Sequence, residues 1–134
     1  PLLHIGDAIA AAVHDRGAIR PLLLATRFAM EQDFYLGYLR ERHGIDAVVP
    51  KERDRMEVHR VIYEELCQGK VLDSSKRAYM QIIDRAYSDA DAPADSVIFG
   101  CTEIGLLITP DDFSFPAFDT TVLHAEAALT FAGY

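Results

Sequence analysis

The strongest constraint on how this chain can fold is an alternation that runs its whole length. Short, mostly apolar runs are separated by longer stretches in which apolar residues recur at helical spacing. Ile19 to Ala25 (IRPLLLA), Ile45 to Val49 and Ser96 to Phe99 are the three clearest runs. Runs of this length read as strands buried on both faces, the pattern of a parallel sheet covered by helices. Pro21 stands near the start of the first run, where a missing ladder donor is tolerated.

The intervening segments read as helices. Residues 2–16 carry Leu3, Ile5, Ala8, Ile9, Ala12 and Val13 and stop at Gly17. A second helix is expected from about Met30 to His43, with Phe34, Tyr38 and Leu39 apolar and Gly44 as its end. A third, residues 52–68, turns Met56, Val58, Ile62 and Leu66 inward and stops at Gly69. Asp73 or Ser74 caps a fourth that runs to about Asp89, and DADAPAD is a turn. A fourth short strand, Phe115 to Phe118, leads to Asp119, Thr120 and Thr121, which cap a last helix ending near Gly133.

Strands joined by helices of this length make βαβ units. The expected fold is α/β: a three-layer α/β/α arrangement around a mostly parallel four-stranded sheet, one domain over residues 1–134. In open parallel sheets ligands bind at the carboxyl ends of the strands. Thr26, Cys101, and Asp119 with Thr120 occupy those ends.

Composition narrows the partners. The formal net charge is −8, with 13 Lys and Arg against 21 Asp and Glu, so a nucleic-acid backbone would be repelled. The basic residues between Arg40 and Arg60 are interleaved with Glu41, Glu52, Asp54 and Glu57, as on a solvated helix face. No apolar run is long enough for a membrane span, and no partner of either kind is expected. The 2 cysteines, Cys67 and Cys101, form no CxxC and suggest a reducing, cytoplasmic setting. His4, His14, His43 and His59 show no metal-site spacing, and no phosphate-binding glycine loop occurs, so neither metal nor cofactor is expected. The opening PLLHIGDAIAAAV starts inside a helical pattern without Met, which suggests a processed, trimmed or partial chain.

The chemistry concentrates in VIFGCTEIGLL, residues 97–107. A cysteine between a buried strand and a helix start lies near free N–H groups and a positive dipole end, which favour thiolate. Gly100 would let a ligand approach the backbone, Thr102 offers a hydroxyl to a carboxylate, and Glu103 can orient the thiol or exchange its proton. Taken singly, Cys101 is a small core residue, Thr102 a cap and Glu103 a first-turn acid. Taken in order, the trio reads as a site.

GCTEIGLL resembles the second cysteine motif of the aspartate/glutamate racemase family, closest to its aspartate racemase and broad-specificity branch. LLATRFAMEQDFYLGYL, HGIDAVVP, VHRVIYEEL and FDTTVLHAEAAL match in order and spacing, so the resemblance covers essentially the whole chain. Ala29 and Ala25 stand where the family usually has Thr and Gly. The resemblance implies an amino-acid racemase that needs no pyridoxal phosphate and interconverts the enantiomers of aspartate or glutamate. Two cysteines would flank the substrate's α-carbon, with Cys101 as one acid/base and Glu103 supporting it. Thr26, Thr102 and His124 match substrate-contacting positions. Lys70 falls where a basic residue would meet a side-chain carboxylate. No motif like the family's first cysteine precedes Cys101, and Cys67, mid-helix, does not replace it. The chain is therefore expected to be the C-terminal portion of a two-lobe enzyme, a homodimer when full length and inactive as this portion alone. The alternatives are a single-cysteine isomerase or decarboxylase of the same superfamily, and a non-catalytic flavodoxin-like binding module.

Overall fold

The computed structural model describes residues 4–133; Leu3 of the expected first helix lies outside them. Helix α1 spans Ile5–Asp15 and strand β1 Pro21–Leu24. Helices α2 (Arg27–Glu31), α3 (Asp33–His43), α4 (Glu52–Glu64) and α5 (Asp73–Tyr87) follow. Strand β2 (Ser96–Phe99), strand β3 (Ala117–Asp119) and helix α6 (Thr120–Phe131) complete the described chain. The sheet is parallel in the order β1-β2-β3, with Leu24 opposite Phe99 and Phe99 opposite Asp119. Both β1 and β2 are buried at every position, as unbroken apolar runs require. Helix α1 packs on α3 and α6, and α4 packs on α5, giving the α/β/α layering.

The core forms where the helical stripes meet this sheet. Ile9 and Val13 of α1, Leu22 and Leu24, Val58 and Ile62 of α4, Ile83 of α5, and Phe99 are all at most 1% exposed. Tyr79 is fully buried and donates its hydroxyl to the Val58 carbonyl at 2.7 Å, so its one polar atom is satisfied. That burial holds the phenol well above its ordinary pKa.

Several details differ from the expectation, among them the last strand, which is Ala117–Asp119 where Phe115 to Phe118 was expected and leaves out Pro116, which has no N–H to donate. The expected strand Ile45 to Val49 is reduced to one rung: Val48 donates to Pro21 and accepts from Leu23 at 2.9 and 2.8 Å. Its neighbours are committed elsewhere. Ile45 donates back to Leu39 as part of the cap that closes α3, where Gly44 turns left-handed at φ 65°. Pro50 has no N–H to give. Secondly, the expected helix Met30 to His43 begins at Arg27 and breaks at Gln32, whose backbone is extended. Thr26 caps the first piece through Ala29 N–H, at 3.5 Å.

Thirdly, the expected helix over residues 52–68 ends at Glu64, and Leu66–Gln68 form a separate 3-10 turn closed by Gly69. The buried Glu65 side chain accepts hydrogen bonds from Ser75 and Arg60 and anchors that break. Cys67 is therefore exposed on a turn and not mid-helix. Finally, Met56 is 56% exposed where an inward side chain was expected. Asp73 and Ser74 are helical residues, with Leu72 in the cap position and no side-chain cap. Helix α6 carries Val122, Leu129 and Phe131 exposed, and Thr120 is the one residue it buries among those described. No described helix is long and apolar enough to cross a membrane.

Candidate active site

The sheet register assembles the site. Because Leu24 faces Phe99, the residues two further on, Thr26 and Cys101, leave adjacent strand ends. The opposite pairing of Phe99 with Asp119 delivers Thr120 beside Gly100, and Thr120 Oγ1 donates to the Phe99 carbonyl at 2.7 Å. Gly100 is explained by packing. It has no positive φ, and a Cβ there would lie 2.8 Å from Leu23 Cδ1 and 3.1 Å from Ala25 Cβ. The glycine lets β2 leave the sheet against β1. The Gly100 N–H donates to the Leu24 carbonyl at 2.7 Å and locks that exit.

Cys101 is half-buried and stands before a five-residue 3-10 turn, Thr102–Leu106. Its thiol donates to Glu103 Oε2 at 2.9 Å, and Thr102 Oγ1 donates to the same oxygen at 2.7 Å. Burial pushes the Cys101 thiol up to about 12, and its hydrogen bond to the Glu103 carboxylate adds to the rise. Those donated bonds, the thiol's first, hold Glu103 below the usual carboxylate range. The expected thiolate is thus corrected: at neutral pH the pair is a thiol and a carboxylate. A 3-10 turn this short offers little dipole, and the nearest charge to the sulfur is negative.

An open hollow of about 440 Å³ lies beside this pair. Its lining includes His4, Tyr35, Thr102, Thr120, Thr121 and His124. Gly100 also lines it, so Cys101 sits between two lining residues. Thr102 and His124 both line the hollow. The one proton of the Thr102 hydroxyl is committed to Glu103, so toward a substrate it acts as an acceptor. Thr26 is half-buried at the neighbouring strand end. Lys70 is exposed beyond the Leu66–Gln68 turn and is not among the lining residues. That turn packs against the Thr102–Leu106 turn, and the charge of Cys67 makes a small contribution to raising Cys101.

Sequence reasoning missed His4 and Tyr35. His4 caps α1 through Gly6 N–H at 2.9 Å and stacks on Tyr38 with ring centroids 3.7 Å apart. The Tyr35 hydroxyl is pushed up chiefly by burial and also by the charge Cys101 would carry. Both arrive by helix packing of α1 and α3 near the strand ends, which no local motif announces. Among the described residues no group of three or more His, Cys, Asp or Glu side chains is placed to hold a metal.

An α/β/α domain with a thiol–carboxylate pair at the carboxyl edge of its parallel sheet defines the class to which this protein belongs. Residues 1–128 match the Asp/Glu/hydantoin racemase family model, and the chain belongs to that family. A structure from Yersinia pestis, assigned to the Asp/Glu racemases, is 46% identical with a TM-score of 0.91, over 98% of this chain and 56% of its own. An aspartate racemase homologue from Pyrococcus horikoshii OT3 is 34% identical with a TM-score of 0.87, over 100% of this chain and 57% of its own. The aspartate racemase of Picrophilus torridus shares the fold at 23% identity and a TM-score of 0.60, over 94% and 52%. The chain therefore spans little more than half the length of these relatives.

Proposed function

We propose that this chain carries one acid/base half of a pyridoxal-phosphate-independent racemase acting on an acidic amino acid, aspartate or glutamate. The observation that carries this reading is the Cys101–Glu103 pair, 2.9 Å apart, beside an open hollow at the strand ends. Cys101 rests protonated, so its S–H delivers a proton to one face of the α-carbon. A base on the opposite face removes the original α-proton, and the Cys101 sulfur is left as thiolate. In the reverse direction Cys101 thiolate takes the α-proton, and Glu103 accepts the hydrogen bond that holds the resulting thiol in place. The opposing base is the family's first cysteine, expected from sequence beyond this chain, in an N-terminal lobe that closes the hollow.

Thr26, Thr102 and His124 are proposed to contact substrate. Among the described residues no Lys or Arg lines the hollow, so within this chain a side-chain carboxylate would meet Lys70 only if that side chain reaches across from the neighbouring turn. Excluding water from the closed site would strengthen each of these polar contacts. A homodimeric, cytoplasmic enzyme goes with this reading.

The test is α-proton exchange of L-aspartate and L-glutamate in D₂O, followed by NMR, with this chain and its Cys101→Ala variant. Exchange that disappears in the variant supports Cys101 as an acid/base group. Exchange that persists unchanged removes it from the reaction. If the folded chain exchanges nothing, the same pair of proteins is compared after extension to the full length of the relatives.

A further inference from the structure

The first turn of α1 buries a glycine, although glycine is a poor helix former. Gly6 has no positive φ, so its backbone does not require it. A Cβ there would lie 2.5 Å from Tyr38 Cδ1 and 3.0 Å from His4 Nδ1. The missing side chain makes room for a pair of rings. His4 stacks on Tyr38 with centroids 3.7 Å and planes 2° apart, and leans on Phe34 at 5.3 Å. Tyr38 is itself tied down: its hydroxyl donates to Asp7 Oδ1 at 2.7 Å, where His43 Nε2 also bonds at 2.8 Å. The Gly6 N–H donates to His4 Nδ1 at 2.9 Å. An accepting nitrogen carries no proton, so the proton of the neutral ring sits on Nε2. No buried side-chain nitrogen among the described residues lacks a partner, so Nε2, which has none there, is open to solvent. His4 lines the hollow beside Cys101, and Nε2 is the one atom of its ring left to bond a ligand.

We propose that His4 is a specificity-determining residue, its Nε2–H donating to the side-chain carboxylate of the acidic amino acid. The assignment rests on the racemase reading for the identity of that ligand. Cys101 sets where the α-carbon lies, and Thr102, Thr120 and Thr121 stand with it where strands give way to turn and helix. The wall built by the start of α1 and by α3 is left to the substituent that tells one amino acid from another. Besides His4 that wall holds Ile5, Phe34 and Tyr35. The Tyr35 hydroxyl is its other polar group, and it rotates freely, with no hydrogen bond among the described residues to fix it. The His4 ring is held by stacking and its tautomer by the Gly6 N–H. A donor locked in advance loses little freedom on binding, which is the gain of preorganisation.

NMR titration of this chain at pH 8 with L-aspartate and its neutral isostere L-asparagine tests the role, and two variants separate it from the cap. His4→Asn keeps a side chain that caps α1 but lacks the far nitrogen. It is expected to hold its urea midpoint and to bind L-aspartate roughly tenfold more weakly, with L-asparagine much less affected. His4→Gln carries an N–H at about the reach of Nε2 and loses the cap. It is expected to unfold at lower urea yet keep most of the preference for L-aspartate. A merely structural His4 gives neither pattern. Long-range ¹⁵N–¹H spectra of the native histidines are expected to show His4 protonated on Nε2. A proton on Nδ1, an Asn variant that weakens both ligands equally or neither, or a chain that binds neither ligand overturns the proposal. So does a preference that Tyr35→Phe abolishes and His4→Asn leaves intact. The racemase reading is judged separately by Cys101→Ala. Exchange lost there, with the preference unmoved by His4→Asn, sinks the His4 assignment alone. A preference that needs His4, with exchange indifferent to Cys101→Ala, sinks the racemase reading alone.

Discussion

The protonation of Cys101 can be moved by one substitution. Glu103→Gln, made in a Cys67→Ser background so that only one thiol reports, keeps the side chain's size and removes its charge. In the native site the thiol is raised from its ordinary 9.0 to about 12. At pH 8 this leaves roughly one molecule in ten thousand as thiolate, against about one in ten at the ordinary value. Burial, the larger cause, survives the substitution. The charged hydrogen-bond acceptor and the negative charge beside the sulfur do not. The midpoint should therefore fall to a value between 9.0 and 12. Alkylation by iodoacetamide at pH 8 should speed up by roughly tenfold, since each unit of pKa is a factor of ten in thiolate. The gain in rate will be slightly smaller than the gain in thiolate, because a less basic thiolate is a weaker nucleophile. A native midpoint at or below 9.0, or a Gln variant that reacts no faster while still folded, would refute the reasoning.

Two further outcomes follow from packing and from the buried carboxylate. Gly100→Ala places a methyl group 2.8 Å from Leu23 and 3.1 Å from Ala25, and should lower stability by about 1–3 kcal/mol in urea unfolding. Ser75→Ala removes the donor that contributes most to holding Glu65 below its ordinary 4.5, and should cost about 1–2 kcal/mol at pH 7. A depressed carboxyl stabilises the fold above its unfolded value and loses that contribution as pH falls through the folded one. The difference between native and variant should therefore shrink as pH drops below 4.5, and a constant difference would exclude this cause.

What could be read from the chain follows what is local. The unbroken run SVIF could only be a doubly buried strand, and a helix restarting at Thr120 after Phe118 placed the carboxyl edge correctly. Thr26, Cys101 and Thr120 were legible as edge residues because their positions depend only on where strands end. The rest depends on partners distant in sequence. Val48 is one rung because its neighbours answer to Leu39 and to the ring of Pro50. Helix α4 stops at Glu64 because Ser75 and Arg60 bind the Glu65 side chain, ten and five residues away. Met56 was expected inward beside Val58, yet two residues are about 200° of helix rotation, so the face that buries Val58 and Ile62 leaves Met56 outward. The thiol's protonation was misjudged for a different reason. The motif shows which groups are adjacent, but not that the carboxylate turns back onto the sulfur.

The one-rung strand has a consequence for how this molecule behaves in a crowd. An exposed sheet edge is a template on which another chain can lay a strand, and long flat edges invite uncontrolled stacking. Here one edge ends in the single rung at Val48, hemmed by Asp46 on one side and Pro50 on the other. The other edge, β3, is only three residues long. Among the described residues neither offers a row of free backbone groups long enough to recruit a foreign strand. The described sheet is insulated by brevity.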